Sequence, residues 1–166
     1  MMDLPLNACF SGKVVVSDAG GVLCSTIAKT FAQLKAKVVV LDLNEDFICE
    51  GYKANVLEPE PLEGVHQQVL KDLGPCNILV NGEGGNTPHA TTSNEYQHEW
   101  AEGQGGFFDL DMGGMDFVFK LDFQGTLLLA QAFTKDMVEH KSDYIINVSA
   151  MTSYIPLTKS PVNSGV

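Results

Sequence analysis

The chain has 166 residues, 45% hydrophobic and 19% charged, which suits one globular domain with a real core and excludes a disordered tail or fibrous repeat. Ten basic and twenty-one acidic residues give a net charge of −11, so the basic face that a nucleic acid demands is absent. No apolar run reaches the ~18 residues of a membrane span, and the opening MMDLPLNACF has no signal-peptide pattern. Cysteines at 9, 24, 49 and 76 match neither a zinc knuckle nor a redox pair. They read as reduced, mostly buried thiols of a cytoplasmic protein.

In chain order, the first apolar run is Lys13-Val14-Val15-Val16. A helix over 22–35 follows, with Ile27, Phe31 and Leu34 on one face beside Ala28 and Ala32. The next runs are Lys37 to Leu41, Asn77 to Val80 and Tyr144 to Val148. None alternates with polar residues. Continuous runs of this length suit strands buried on both faces, hence a parallel sheet covered by helices. A second helix is expected over 62–73, facing inward through Val65, Val69, Leu70 and Leu73. A third is expected over 115–139, facing inward through Phe117, Leu121, Leu128 and Phe133. Strand and helix in alternation read as an open α/β sheet with the fourth strand beside the first.

Two segments are irregular. Only about nine residues separate Asp42 from a third strand near Tyr52 to Val56, fewer than the dozen or so of a usual parallel crossover. Asn44 can cap one or two turns through Phe47-Ile48, and the third strand is short, displaced or absent. The segment from Gly82 to Gly114 reads as an inserted glycine-rich loop within a single domain of residues 1–166. Within it His89, Glu95, His98, Glu99 and Glu102 form a solvated polar cluster and no recognised metal motif. Trp100 and Phe107-Phe108 are expected to anchor the loop to the core.

The chemistry-bearing motifs sit at strand ends. Ser17-Asp18-Ala19-Gly20-Gly21-Val22 is a strand, a tight glycine turn and a helix start, where backbone N–H groups can hold a pyrophosphate. The same residues equally make a plain turn, and a carboxylate at Asp18 opposes a phosphate. Asp42 stands at the tip of the second strand, about twenty residues on, where a dinucleotide fold binds the adenosine ribose hydroxyls. By itself it reads as a helix N-cap or a solvated strand end; with the glycine turn at the right distance, the ribose role is favoured. No arginine follows to accept a 2′-phosphate, so a bound dinucleotide would be NAD rather than NADP.

Together these pieces resemble the short-chain dehydrogenase/reductase family along nearly the whole chain. The resemblance takes in the glycine turn, Asp42, Asn55-Val56, Asn81-Gly82-Glu83-Gly84, Leu121-Asp122-Phe123-Gln124-Gly125-Thr126 and Ile145-Ile146-Asn147-Val148-Ser149. Gly21-Val22-Leu23-Cys24, Gly84-Gly85-Asn86 and Phe107-Phe108-Asp109-Leu110-Asp111 look more narrowly like the branch acting on sugar acids such as D-mannonate or fructuronate. The resemblance implies a Rossmann-type sheet, cut short after its fifth strand, and NAD held by Ser17, Gly20, Gly21, Val22, Asp42, Asn55, Val56, Asn81 and Gly82. It also implies a homo-oligomer built on the long helix 115–139.

Family catalysis uses a Tyr as acid/base, a Lys four residues later, a Ser on the reacting oxygen and an Asn in the long helix. Here the Asn position falls on Asp122, the Ser position on Ala150 and the Tyr position on Asn163, while the Lys position would fall one residue past Val166. Ser149 lies on the other face of its strand from the Ser position. Tyr154, with Lys159 five residues on, reads as a partly exposed loop aromatic. The expected function is that of an NAD-dependent oxidoreductase lineage with no intact catalytic set in this chain. A non-catalytic nucleotide-binding or oligomerising subunit is the alternative. The fifth strand, as a sheet edge, needs a cover from a partner or from further chain.

Overall fold

A computed structural model describes residues 11–44, 51–141, 143–155 and 157–166. Cys9, Cys49 and the expected turn through Phe47-Ile48 lie outside the described residues. Five parallel strands make one sheet: β1 (Lys13–Val16), β2 (Lys37–Asp42), β3 (Tyr52–Lys53), β4 (Ile78–Asn81) and β5 (Tyr144–Asn147), in the order β3-β2-β1-β4-β5. The helices are α1 (Val22–Gln33), α2 (Pro59–Leu73), α3 (Met112–Phe119) and α4 (Thr126–His140), with a π-helical stretch Lys120–Gly125 between the last two. The α/β class and the place of β4 beside β1 are as the apolar runs require. Among the described residues no helix is long and apolar enough to cross a membrane.

The chain forms two compact units, one of Met1–Gly82 with Leu127–Asn147 and one of Glu83–Thr126 with Val148–Val166. All five strands belong to the first. Val14, Val15, Val16, Leu79 and Val80 are almost wholly buried at its centre, and their branched side chains suit a sheet covered on both faces. Residue pairs Val14↔Val38 and Val14↔Ile78 fix β1 between its neighbours. β3 is only two residues long and pairs through Leu41↔Tyr52 and Asp42↔Lys53, which is the short strand among the three outcomes left open and stops well before Val56.

Polar residues lace both ends of the sheet. At the amino ends, Asn77 accepts from the Lys13 N–H at 3.0 Å and donates to Asp143 at 3.0 Å, joining β1 and β4 to the start of β5. At the carboxyl ends, Ser17 Oγ accepts from the Gly82 N–H at 3.0 Å and donates to the Val80 carbonyl, while Asn81 Nδ2 donates to Asn147 Oδ1 at 2.7 Å. Each removes a buried polar group from the cost of desolvation.

Within this unit α1 buries Cys24 and Ala28 and leaves Ala32 exposed, with Ile27, Phe31 and Leu34 half-buried. α2 ends at Gly74 (φ 75°), whose N–H donates to the Leu70 carbonyl; a side chain there would be strained and would also meet the Lys13 ammonium. α2 faces inward through Leu62, His66 and Val69. His66 is 3% exposed; its Nε2 lies 2.8 Å from Asp136 of α4, and its ring meets Phe133 edge-on at 5.0 Å.

In the second unit α3 starts with Asp111 as N-cap, accepting from the Gly114 N–H at 3.0 Å. Gly114 is buried because the Pro88–Ala90 turn crosses it closely: a Cβ there would lie 2.6 Å from the His89 carbonyl carbon. The long helix faces inward only in part as expected: of the four residues named, Phe133 alone is buried. Phe117 is 47% exposed, while Val118, Leu129, Phe133 and Met137 are buried and Leu121 and Leu128 only half-buried. Small Gly114 and Gly125 occupy inward positions where a pattern of large apolar residues gives no signal. Phe107 and Phe108 are also not anchors, being 63% and 84% exposed and meeting edge-on. Trp100 does pack, over the bare Cα of Gly106.

Candidate functional site

Within the first unit, the sheet order changes direction between β1 and β4, and the carboxyl ends of β1, β2 and β4 carry Ser17, Asp42 and Asn81. That crevice is where open α/β sheets bind ligands. After β1 the chain turns through Asp18 (φ 50°), with the Gly21 N–H donating to the Asp18 carbonyl, and enters α1 at Val22. Gly21 is the N-cap and no side chain caps the helix, while Val22 is 89% exposed. The first turn of α1 therefore presents N–H groups that lack helical partners, and the positive end of its dipole, to solvent.

Asp42 ties the turn to β2. Its Oδ2 accepts from the Gly20 N–H at 2.7 Å and its Oδ1 from the Asn44 N–H at 2.9 Å. A carboxylate has about four lone-pair sites, so two remain for hydroxyl donors. Asp18 is the discordant group: burial, and then the Asp42 charge, raise its carboxyl above the ordinary range. Two acids here oppose a polyphosphate, while the unused lone pairs of Asp42 could accept from hydroxyl groups.

The other expected contacts are largely internal. Ser17 is fully buried and spent on the β1–β4 lacing. Asn55 holds the turn before α2, donating to Glu58 at 2.7 Å and accepting from the Leu57 N–H at 3.1 Å, and Val56 is buried. Asn81 is 1% exposed, and its Oδ1 has no hydrogen-bond partner among the described residues. Gly82 is a close-approach glycine: a Cβ would collide with Cys24 Sγ and lie 2.6 Å from the Ser17 carbonyl. Cys24 and Cys76 are buried and form no disulfide among the described residues, and burial holds the Cys76 thiol up at about 11. The uncapped α1 start, the glycine turn, the Asp42 tip and the orphaned Asn81 oxygen fit the adenosine and pyrophosphate of a dinucleotide, with Asp18 the one misfit.

The second unit brings Asp122 and Asn163 together. Asp122, inside the π-helical stretch, accepts from the Gly85 N–H at 2.8 Å and from Asn163 Nδ2 at 3.2 Å. Burial raises its carboxyl, against the lowering effect of those two donors. Thr152 donates back to Asn163 Oδ1 at 3.1 Å. Ala150 begins the short turn Met151–Ser153, and Tyr154 is 86% exposed. Among the described residues no group of three His, Cys, Asp or Glu side chains is disposed to hold a metal ion. His98 instead meets Tyr96 edge-on at 5.5 Å.

Comparison with known proteins bears on this geometry. The family pattern of short chain dehydrogenases matches residues 13–164. An uncharacterised oxidoreductase of Haemophilus influenzae is 44% identical over 99% of this chain and 63% of its own length. One from Bacillus subtilis is 36% identical over 97% of this chain and again 63% of its own length. A crystal structure of a Haemophilus protein assigned provisionally as a D-mannonate oxidoreductase, with bound NAD, superposes with a TM-score of 0.89 at 43% identity over 93% of this chain and 60% of that one. The chain thus spans less than two thirds of these relatives' length. With the family pattern running from β1 to the last residues, over the parallel sheet order that it demands, this chain belongs to the short chain dehydrogenase family.

Proposed function

We propose that this chain is the dinucleotide-binding portion of an NAD-dependent short-chain oxidoreductase whose substrate is a sugar acid of the mannonate or fructuronate kind. The observation that carries the reading is the uncapped start of α1 behind Gly20-Gly21, with Asp42 at the neighbouring strand tip. The NAD bound to the Haemophilus relative supports it. The Val22 N–H and the first turn of α1 would face the pyrophosphate, Gly20 and Gly21 would leave room for its approach, and Asp42 would take the adenosine ribose hydroxyls. Asn55, Val56 and Gly82 would shape the walls. NAD, when bound, supplies the hydride acceptor. Asp42 disfavours a 2′-phosphate by charge, so NADP is the weaker ligand. The buried thiols at Cys24 and Cys76 fit a reducing cytoplasm.

Proton transfer is where this chain departs from its family. The carboxamide of Asn163 has no proton to exchange near neutral pH, and it is held by Asp122 and Thr152. Acid/base help of this kind is typically worth ~10²–10⁴-fold, so hydride transfer by this chain is slow. That hydrogen-bonded pair favours a second reading, a non-catalytic subunit that binds nucleotide and assembles through the helix at 115–139. Titration calorimetry with NAD and NADP separates nucleotide binding from its absence. Heat with NAD that is lost in Asp42→Ala supports the site, and no heat at millimolar NAD in a folded sample overturns it. NADH oxidation with fructuronate at family rates would overturn the slow-chemistry part alone.

A further inference from the structure

The second unit contains an open groove of about 300 Å³, lined by Thr92, Asn94, Glu95, Tyr96, Phe107 and Lys159, among others, with Thr92 buried at its base and Lys159 exposed at its rim. This is the low end of small-ligand pocket volumes, enough for a six-carbon acid. Its lining mixes aromatic rings with polar groups. Lys159 is the one cation among its lining residues, and no hydrogen bond or ion pair engages its side chain among the described residues. Thr92 and Asn94 add hydroxyl and amide groups suited to a polyol.

Lys159 also has a backbone that needs explaining. Its φ is 75°, the left-handed region. Lys35 and Lys141 share that region, but each lies just past the end of a helix, α1 or α4, where a left-handed residue terminates the helix. Lys159 instead lies in the turn at 158–159. Its carbonyl accepts the Thr92 N–H at 2.9 Å, which ties together two segments that line the groove. Glycine would take this conformation more readily, yet a lysine stands there, in the lining of the groove.

We propose that this groove binds the carboxylate of a small polyhydroxy acid, with the Lys159 ammonium as its anchor and Thr92 and Asn94 toward its hydroxyls. The identity of the acid rests on the oxidoreductase reading; the groove and its cation do not. Glu95 opposes an anion and sets an upper limit on affinity. Lys159 is thereby a binding residue, with no part in proton transfer.

D-gluconate and D-glucitol test this directly, since they differ at C1, a carboxylate against a hydroxymethyl. In ¹H–¹⁵N spectra of the whole chain, gluconate is expected to shift the Thr92 and Lys159 amides saturably, and glucitol to leave them in place. Lys159→Gln should weaken gluconate binding by roughly tenfold, the worth of one charge-assisted hydrogen bond. Lys159→Arg keeps the cation and should bind nearly as the parent does, and Glu95→Gln should tighten binding by roughly threefold. If Lys159→Gln does not fold, the remaining two variants still decide, by near-parent affinity in Lys159→Arg and tighter binding in Glu95→Gln. Equal binding of glucitol, no saturable shift, or gluconate binding indifferent to both positions overturns the proposal. An NAD titration on the same sample keeps the two readings apart: gluconate without NAD binding overturns the oxidoreductase reading, and NAD without gluconate overturns this one.

Discussion

At the scale of single residues, the proposed nucleotide site is a balance between two acids. Asp42 serves it, holding the glycine turn through the Gly20 N–H. Asp18 works against it, with a carboxyl raised by burial and by Asp42. A raised acid binds its proton more tightly in the folded state, so it lowers stability as pH rises through its folded value and ceases to do so in acid. Asp18→Asn removes that charge and keeps a residue tolerant of φ 50°. It should raise the neutral-pH melting temperature slightly and tighten NAD by roughly three- to tenfold, read by calorimetry at low salt. Gly82 is the second residue on which the site depends. Gly82→Ala would force Cys24 and the Ser17 carbonyl apart, at a cost of about 1–3 kcal/mol typical of overpacking. Urea unfolding measures it, and a variant as stable as the parent would show that this turn yields freely.

At the scale of elements, α2 and α4 are joined by a charged seam, half-exposed at Glu63 and Lys135 and buried at His66. Glu63 accepts from Gln67 and from Lys135, which pull its carboxyl down to about 2 against the opposing effect of burial. Stability from a lowered acid is complete above its unfolded value near 4.5 and is lost as pH falls toward about 2. The melting-temperature gap between parent and Glu63→Gln should therefore be constant above that window and close within it. A gap unchanged through the window would mean that Glu63 contributes by packing alone. This seam also marks what the sequence conveyed. Leu62, His66 and Val69 share one helical face, so periodicity could have found His66, had a histidine been admitted as a core residue. The strands β1, β2 and β4 were legible because uninterrupted branched residues suit nothing else so well; β5 was found by the same kind of run, but it is exposed along its length rather than buried on both faces. The inward face of the long helix was not legible, because glycines at 114 and 125 set the close approach while phenylalanines at 117, 119 and 123 lie exposed. At the site, Gly20, Gly21 and Asp42 could be read from spacing. The internal duties of Ser17 and Asn81 could not, since only the register of β1, β4 and β5 brings their partners within reach.

For the molecule as a whole, the exposed apolar residues of the helix region bear on assembly. α4 leaves Leu127 and Val138 exposed, and in the second unit Phe119 and Phe123 lie against each other in the open, 6.4 Å apart. Self-association through the helix region 115–139 predicts a light-scattering mass near twice that of one chain. Replacing Val138 by Lys should shift the sample toward monomer, and a monomer in the parent at high concentration would sink this expectation.

The edge strand β5 adds a consequence of a different kind. Tyr144, Ile145 and Ile146 are 68%, 47% and 44% exposed, an apolar parallel edge of the sort that pairs with other edges. Set against it is the charge of −11, which makes each copy repel the next. That repulsion reaches tens of ångströms in dilute buffer but only about 8 Å at physiological ionic strength. Colloidal behaviour should thus be governed by electrolyte: clear solutions in low salt, and growing turbidity with β-rich infrared signature as sodium chloride is added, which a lysine at position 145 would suppress.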